Sequence, residues 1–125
     1  MSHKRVVVIG GGPAGMMAAG VASQRGFKTF LLERNSITGK KLRITGKGRC
    51  NITATGSLDD FIKNIPTHGD FLKPAFSHFF SQHTIDFFKN LGVETKTERG
   101  GRVFPVSNQA HDVANALENF VKKIR

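Results

Sequence analysis

The sequence predicts an α/β fold that opens with a strand–helix–strand unit, and three observations carry this. The apolar run Val6-Val7-Val8-Ile9 breaks into Gly10-Gly11-Gly12. A stretch rich in small residues, Pro13 to Arg25, then stops at Gly26. A second strand, Phe27 to Leu32, ends on Glu33. The unbroken apolar run Val6–Ile9 is expected of a parallel strand buried on both faces.

The remaining elements follow in order. Arg34 to about Ser57 reads as a basic, glycine-rich loop, and Leu58 to Ile65 as a short helical segment ended by Pro66. Leu72 to Leu91 predicts one amphipathic helix, capped by Gly92. Leu72, Ala75, Phe76, Phe79, Phe80, His83, Phe87 and Leu91 fall on a single face. Val93–Arg99 and Arg102–Val106 flank Gly100-Gly101, a two-residue hairpin signal. Ser107 suits the N-cap of a last helix, whose apolar stripe is Ala110, Val113, Ala114, Leu117, Phe120, Val121 and Ile124. A helix in that place should lead into a further parallel strand, so the sheet is expected to be incomplete within these 125 residues.

Composition narrows the functional classes. No apolar run approaches the roughly 20 residues that cross a bilayer. The basic start Met1–Arg5 precedes a run too short for a signal peptide, so a cytoplasmic location and no membrane partner are expected. A single cysteine, Cys50, makes no internal disulfide, and the five histidines show no metal-ligand spacing with it. No metal site is expected. The net charge of +10 fits nucleic-acid binding, an anionic small molecule, or a chain whose acidic remainder lies elsewhere. From Arg34 to Leu58 there is no acid, while Arg34, Lys40, Lys41, Arg43, Lys47 and Arg49 fall within it.

Chemistry concentrates in two places. The first is Gly10-x-Gly12-x-x-Gly15, which follows a strand and opens a helix. Gly10 permits the tight turn. Gly12 lets backbone approach a pyrophosphate, and Gly15 lets helix and strand pack closely. With Pro13 and Ala14 they form a helix N-terminus, which attracts phosphates. Glu33, at the end of the second strand, is placed to accept from ribose hydroxyls and disfavours a 2′-phosphate; Arg34 beside it weakens that exclusion. FAD and NAD share such a cradle, and the unit does not choose between them.

The second place is Gly39 to Asn51. Glycines at 39, 46 and 48 combine with cations and with Thr45 and Asn51, so backbone N–H groups and side chains can reach phosphate oxygens together. Gly46-Lys47 is followed by glycine rather than Ser or Thr, which argues against a P-loop. A solvated basic loop is the plain alternative. Nucleic-acid binding is disfavoured, because the loop has no aromatic residue to stack bases. Arg49 beside Cys50 would lower the thiol's pKa, but a lone cysteine more often packs than reacts. His83 reads as a satisfied core histidine on the long helix.

Gly39-Lys40-Lys41-Leu42-Arg43-Ile44-Thr45-Gly46-Lys47-Gly48-Arg49-Cys50-Asn51-Ile52-Thr53 resembles the signature of the bacterial BaiN-like flavoproteins, also labelled the aminoacetone oxidase family or NAD(P)/FAD-dependent oxidoreductases. Gly101-Arg102-Val103-Phe104-Pro105-Val106-Ser107 through Ala110, with Asp112-Val113, resembles a second motif of that family. The resemblance runs the length of the chain. It implies a Rossmann-type FAD-binding domain over 1–125, the front part of a longer flavoprotein. Gly10, Gly12 and Gly15 would hold the pyrophosphate and Glu33 the ribose. Lys41, Thr45, Gly46, Gly48, Arg49, Cys50 and Asn51 would line the flavin side. Ala54 stands where the family usually has Asn, which puts one polar contact in doubt. The implied activity is an FAD-dependent oxidoreductase acting on a small-molecule substrate, with NAD(P)H as a possible partner. No catalytic side chain is assigned. A non-catalytic adenine-dinucleotide module is the alternative. Self-association through uncovered apolar faces is expected of the isolated chain.

Overall fold

The structure is a computed structural model and describes residues 4–123. In chain order it runs β1 (Arg5–Ile9), α1 (Pro13–Gln24), β2 (Lys28–Leu32), a 3-10 turn (Leu42–Ile44), the helical turn α2 (Thr45–Gly48) and β3 (Thr53–Ala54). Then come α3 (Leu58–Lys63), a second 3-10 turn (Gly69–Leu72), α4 (Lys73–His78), α5 (Ser81–Asn90), β4 (Thr95–Thr97), β5 (Arg102–Pro105) and α6 (Ala110–Lys123). They form two compact units. One joins the residues up to Cys50 with those from Ser107 onward, and the other is Asn51–Val106.

The first unit holds the expected strand–helix–strand start. β1 and β2 pair in parallel, with Arg5 opposite Lys28 and Ile9 opposite Leu32. Gly26 ends α1 with φ +83, its N–H reaching Ser23 O at 2.9 Å; the left-handed turn is what glycine supplies there. α1 packs on both strands and on α6. Met16, Ala19 and Gly20 of α1 meet a core made with Ala110, Val113, Ala114, Leu117 and Phe120. A side chain at Gly20 would lie 2.0 Å from the Phe120 ring, so the two helices approach closely because that residue has none. Val121 is half-buried, and Ile124 lies outside the described residues.

Three expectations are corrected in this unit or at its edge. The first strand is not buried on both faces: Val7 is 56% and Ile9 85% exposed. β1 and β2 pair only with each other among the described residues, and burial alternates along both. One covering helix produces a period of two in burial even where the sequence is apolar throughout. Ser107 does not cap α6. The helix begins at Ala110, and Ser107 Oγ accepts the Gln109 N–H at 3.3 Å, a local turn around Asn108, whose φ is +56. The basic segment is not all irregular, since it contains the 3-10 turn and α2.

In the second unit β3, β5 and β4 form an antiparallel sheet in that order, with Ala54 opposite Arg102 and Thr97 opposite Val103. The β4–β5 hairpin is present, but its loop is not the expected two residues. Glu98 N–H donates to Arg102 O at 2.8 Å, leaving Arg99, Gly100 and Gly101 as the loop, with both glycines at positive φ. Ser57 caps α3 by accepting the Asp60 N–H, and Asp60 returns a bond to Ser57.

The expected helix over Leu72–Leu91 is broken. Leu72 belongs to the 3-10 turn, α4 ends at His78, and Phe79 and Phe80 are extended before α5 starts at Ser81. The Phe80 N–H is claimed by a side chain, donating to His83 Nδ1 at 3.0 Å, while its C=O opens α5 by accepting the Thr84 N–H at 3.0 Å. Such a side-chain bond competes with helix continuation. His83 is therefore an exposed capping residue, not a core histidine. The break lets Phe61, Phe76 and Phe80 cluster with ring centroids 4.7 to 6.2 Å apart, and it is Phe88 that is buried in α5. Gly92 ends α5 as expected, with φ +85 and its N–H on Lys89 O.

Candidate functional site

The glycine loop between β1 and α1 is held from three sides. Gly10 N–H donates to Leu32 O at 2.7 Å, Gly11 N–H to Glu33 Oε2 at 2.8 Å, and Gly39 N–H to Gly11 O at 2.8 Å. Gly10 sits at φ +105, where a side chain would be strained. Gly12 is extended and caps α1, with Pro13 in the first turn. The first intrahelical bond is Met16 N–H to Gly12 O. The N–H groups of Ala14 and Gly15 therefore precede the helical ladder, at the positive end of the helix.

Beside this loop lies a cavity of about 410 Å³ lined by Gly11, Gly12, Glu33, Asn35, Lys40, Lys41 and Ile44. It falls in the size range of small-molecule sites. A side chain placed on Gly12 would meet nothing within 4 Å. Space next to a helix N-terminus, two lysines and a glycine that leaves room for close backbone approach suit a pyrophosphate. The residues present thus fit an adenine dinucleotide.

Glu33 ties this site together. Its Oε1 accepts from the N–H and the Nδ2 of Asn35, and its Oε2 accepts from Gly11. The backbone N–H of Asn35, then that of Gly11, hold the carboxyl below the usual carboxylate range. A depressed carboxyl contributes stability in full above its unfolded pKa, and that contribution is lost as pH falls through the lower folded value. Protection of the Gly11 amide, as the ratio of intrinsic to observed exchange rate at each pH, is accordingly expected to hold at neutral pH and to be lost only below the ordinary glutamate range. The same pH-dependent loss of protection in a Glu33→Gln chain would remove the carboxylate from that role.

Of the expected site residues, Gly12, Glu33 and Lys41 line the cavity. Gly10, Pro13, Ala14 and Gly15 build the loop around it, and Arg34 is exposed next to Glu33. Gly11, Asn35, Lys40 and Ile44 were not singled out. Asn35 follows the strand-end acid by two residues, the Asx-turn spacing that was the available signal. Gly11 and Lys40 stood inside the quoted motifs. Ile44 is 74% exposed, and its type carries no signal for a polar ligand.

Thr45, Gly46, Gly48, Arg49 and Cys50 form a separate turn in the same unit and are not among the lining residues. Gly46, Lys47, Gly48 and Cys50 all adopt positive φ. Two of them are not glycine, which marks a backbone constrained by its surroundings. Thr45 Oγ1 donates to Leu42 O at 2.6 Å, and Cys50 N–H to Thr45 O at 3.0 Å. Arg49 does not act on the thiol as expected: its guanidinium donates to Asn108 Oδ1 at 2.8 and 3.1 Å. Burial pushes the Cys50 thiol up, with a hydrogen bond to Thr45 opposing it, so it is a protonated packing residue at neutral pH. Asn51 belongs to the other unit. With its amide turned to donate, Nδ2 reaches Thr53 O at 2.8 Å and Val103 O at 3.2 Å. Among the described residues no three His, Cys, Asp or Glu side chains group to hold a metal, and no helix is long and apolar enough to cross a membrane.

The charge follows the division into units. Six Lys or Arg face six acids in Asn51–Val106, while the first unit carries thirteen against three. The whole excess of +10 thus belongs to the unit that holds the glycine loop.

Known proteins match this arrangement. Residues 4–125 match the HI0933-like protein Rossmann domain. A 3-dehydro-bile acid delta(4,6)-reductase of Clostridium scindens is 37% identical over 119 residues, covering 91% of this chain and 28% of that protein. A ribosomal RNA dihydrouridine synthase of Escherichia coli is 29% identical, covering 98% of this chain and 30% of that protein. The chain therefore spans under a third of the length of these relatives. The crystal structure of THI4 from Thermovibrio ammonificans superposes with a TM-score of 0.59 at 15% identity, covering 98% of this chain and 36% of that one, a likeness of fold.

Proposed function

The chain belongs to the HI0933-like Rossmann family, and we propose that it is the FAD-binding portion of a flavin-dependent oxidoreductase. The single observation that carries this is the cavity beside the glycine loop, where Gly12, Glu33 and Lys41 converge as a dinucleotide requires. Gly10, Gly12, Pro13, Ala14 and Gly15 would receive the pyrophosphate at the N-terminus of α1, and Lys40 and Lys41 would neutralise it. Glu33 would accept from the ribose hydroxyls: each of its oxygens is engaged by the loop, and a carboxylate oxygen accepts more than one bond. Its ionised state would repel a 2′-phosphate. Thr45, Gly46, Gly48, Arg49, Cys50 and Asn51 are proposed for the flavin side on the strength of the family motif.

When bound, FAD supplies hydride and electron transfer, and the protein's part is binding, orientation and electrostatics. In the longer protein a small-molecule substrate and NAD(P)H are the proposed partners. The relatives are named for their substrates, a 3-dehydro-bile acid for the reductase and ribosomal RNA for the dihydrouridine synthase. A second reading, an adenine-dinucleotide module without catalysis, is favoured by one observation: the lining residues are those suited to the ADP half.

Titration of the chain with FAD, followed by quenching of flavin fluorescence, tests both. Saturable binding displaced by ADP supports the assignment. FAD binding at least about tenfold tighter than ADP, worth 1.4 kcal/mol, favours holding of the flavin ring over the bare module. Tight binding of NAD with no binding of FAD overturns the FAD assignment.

A further inference from the structure

Lys40 and Lys41 line the cavity, yet they sit on a segment with little regular structure, and the bonds that fix that segment converge on one carboxylate. Glu118 Oε2, on α6, accepts from Thr38 Oγ1 at 3.1 Å and from Arg43 Nη2 at 3.3 Å. These two donors bracket Gly39–Leu42. Arg43 is held further by Asn115 Oδ1 at 2.9 Å, by His111 Nδ1 at 3.4 Å and by its own bond from Nε to Thr38 O at 3.2 Å. Inside the bracket, Gly39 N–H donates to Gly11 O, and Arg43 N–H to Gly39 O at 3.0 Å. Glu118 Oε1 takes Lys122, one turn along α6.

We infer that Glu118 is a positioning residue for the dinucleotide: through Thr38 and Arg43 it staples both ends of the lysine segment to α6 and so holds Lys40 and Lys41 beside the glycine loop. This rests on the dinucleotide reading of the cavity. It also reassigns Arg43. Each of the three guanidinium nitrogens is engaged by α6 or by Thr38, so Arg43 is a brace rather than a phosphate ligand. Ligand neutralisation is left to the lysines. Both carboxylate oxygens are engaged, with Lys122 and then Thr38 and Arg43 favouring the ionised form. The Arg43–Glu118 pair is part-buried, and its contribution to overall stability is secondary here. Its effect lies in geometry, because a misplaced loop weakens every contact made from it.

The test uses the whole chain, FAD titration and limited trypsin digestion without ligand. Glu118→Ala is expected to raise the FAD Kd about tenfold, the loss of charged hydrogen bonds that position the loop. Cleavage after Lys40 and Lys41 should accelerate by a similar factor, about tenfold, as local opening becomes easier. Cleavage after Lys89 and Lys96, in the other unit, should not change. Glu118→Gln keeps an acceptor oxygen and should recover part of both effects, whereas Lys122→Ala should leave both at the parental level. If Glu118→Ala does not fold, Thr38→Val removes one arm of the staple and is expected to move both readouts in the same direction. Parental Kd and parental cleavage after Lys40 and Lys41 overturn the inference, as does acceleration spread equally over all four lysines. A parental chain that binds no FAD defeats the dinucleotide reading instead, and the digestion still decides the staple.

Discussion

Gly12→Val is expected to abolish FAD binding while leaving the fold in place. A Cβ here meets no atom within 4 Å beyond its chain neighbours, and Gly12 is extended, a conformation that valine adopts freely. The structural penalty is confined to a poorer N-cap, of about 1 kcal/mol or less. The new methyl groups would stand in the space that the pyrophosphate needs. Loss of more than about 100-fold in FAD affinity, roughly 2.7 kcal/mol, is the expected result. Circular dichroism and thermal unfolding should stay close to the parent. Parental FAD affinity in the variant removes the glycine loop from the site.

Gly15→Ala is expected to do the reverse, damaging the fold before any ligand is added. A Cβ on Gly15 would lie 1.8 Å from Gly10 O and 3.0 Å from Gly10 C. Neither contact is the end of a flexible side chain. Relief requires α1 to move away from the β1 turn, opening the contact that binds helix and strand together. A cost of about 3 kcal/mol is expected, at the upper end for overpacking. Against the total stability of an ordinary domain, about 5–15 kcal/mol, that is a large share. Urea unfolding should show a large fall in midpoint, and FAD affinity should fall with the folded fraction. A midpoint within the error of the parent would mean that the loop yields where the geometry says it cannot. On the proposed reading the two glycines serve one motif for opposite reasons, one by leaving room for a ligand and one by leaving room for a carbonyl.

Both roles were legible from spacing, because they depend on chain geometry over six residues. The same holds for the strand–helix–strand start, the Gly26 and Gly92 stops and the stripe of α6: each follows from local pattern, and each is present. Harder to read were features decided by competition. Leu72–Leu91 has the periodicity of one helix, but the His83 ring takes the Phe80 N–H that a continuous helix would have bonded to Phe76 O. Gly100-Gly101 signals a turn without fixing the ladder's last pair, and Glu98 with Arg102 closes a three-residue loop.

What residue order alone settled is the chemistry of the cradle: where backbone must be bare, where a helix presents its amides, and where an acid ends a strand. These depend on neighbours in sequence. What only the tertiary structure decided is which charges remain for a ligand. Lys40, Lys41, Arg43 and Arg49 are equivalent as letters in a basic loop. Packing against the segment 108–118 consumes Arg43 on Glu118 and Asn115 and Arg49 on Asn108, and leaves the two lysines at the cavity. The physical reason is that a partner 59 to 75 residues away carries no local pattern. Arginine's planar fork suits it to bracing against fixed acceptors, while lysine's flexible point charge suits it to a phosphate.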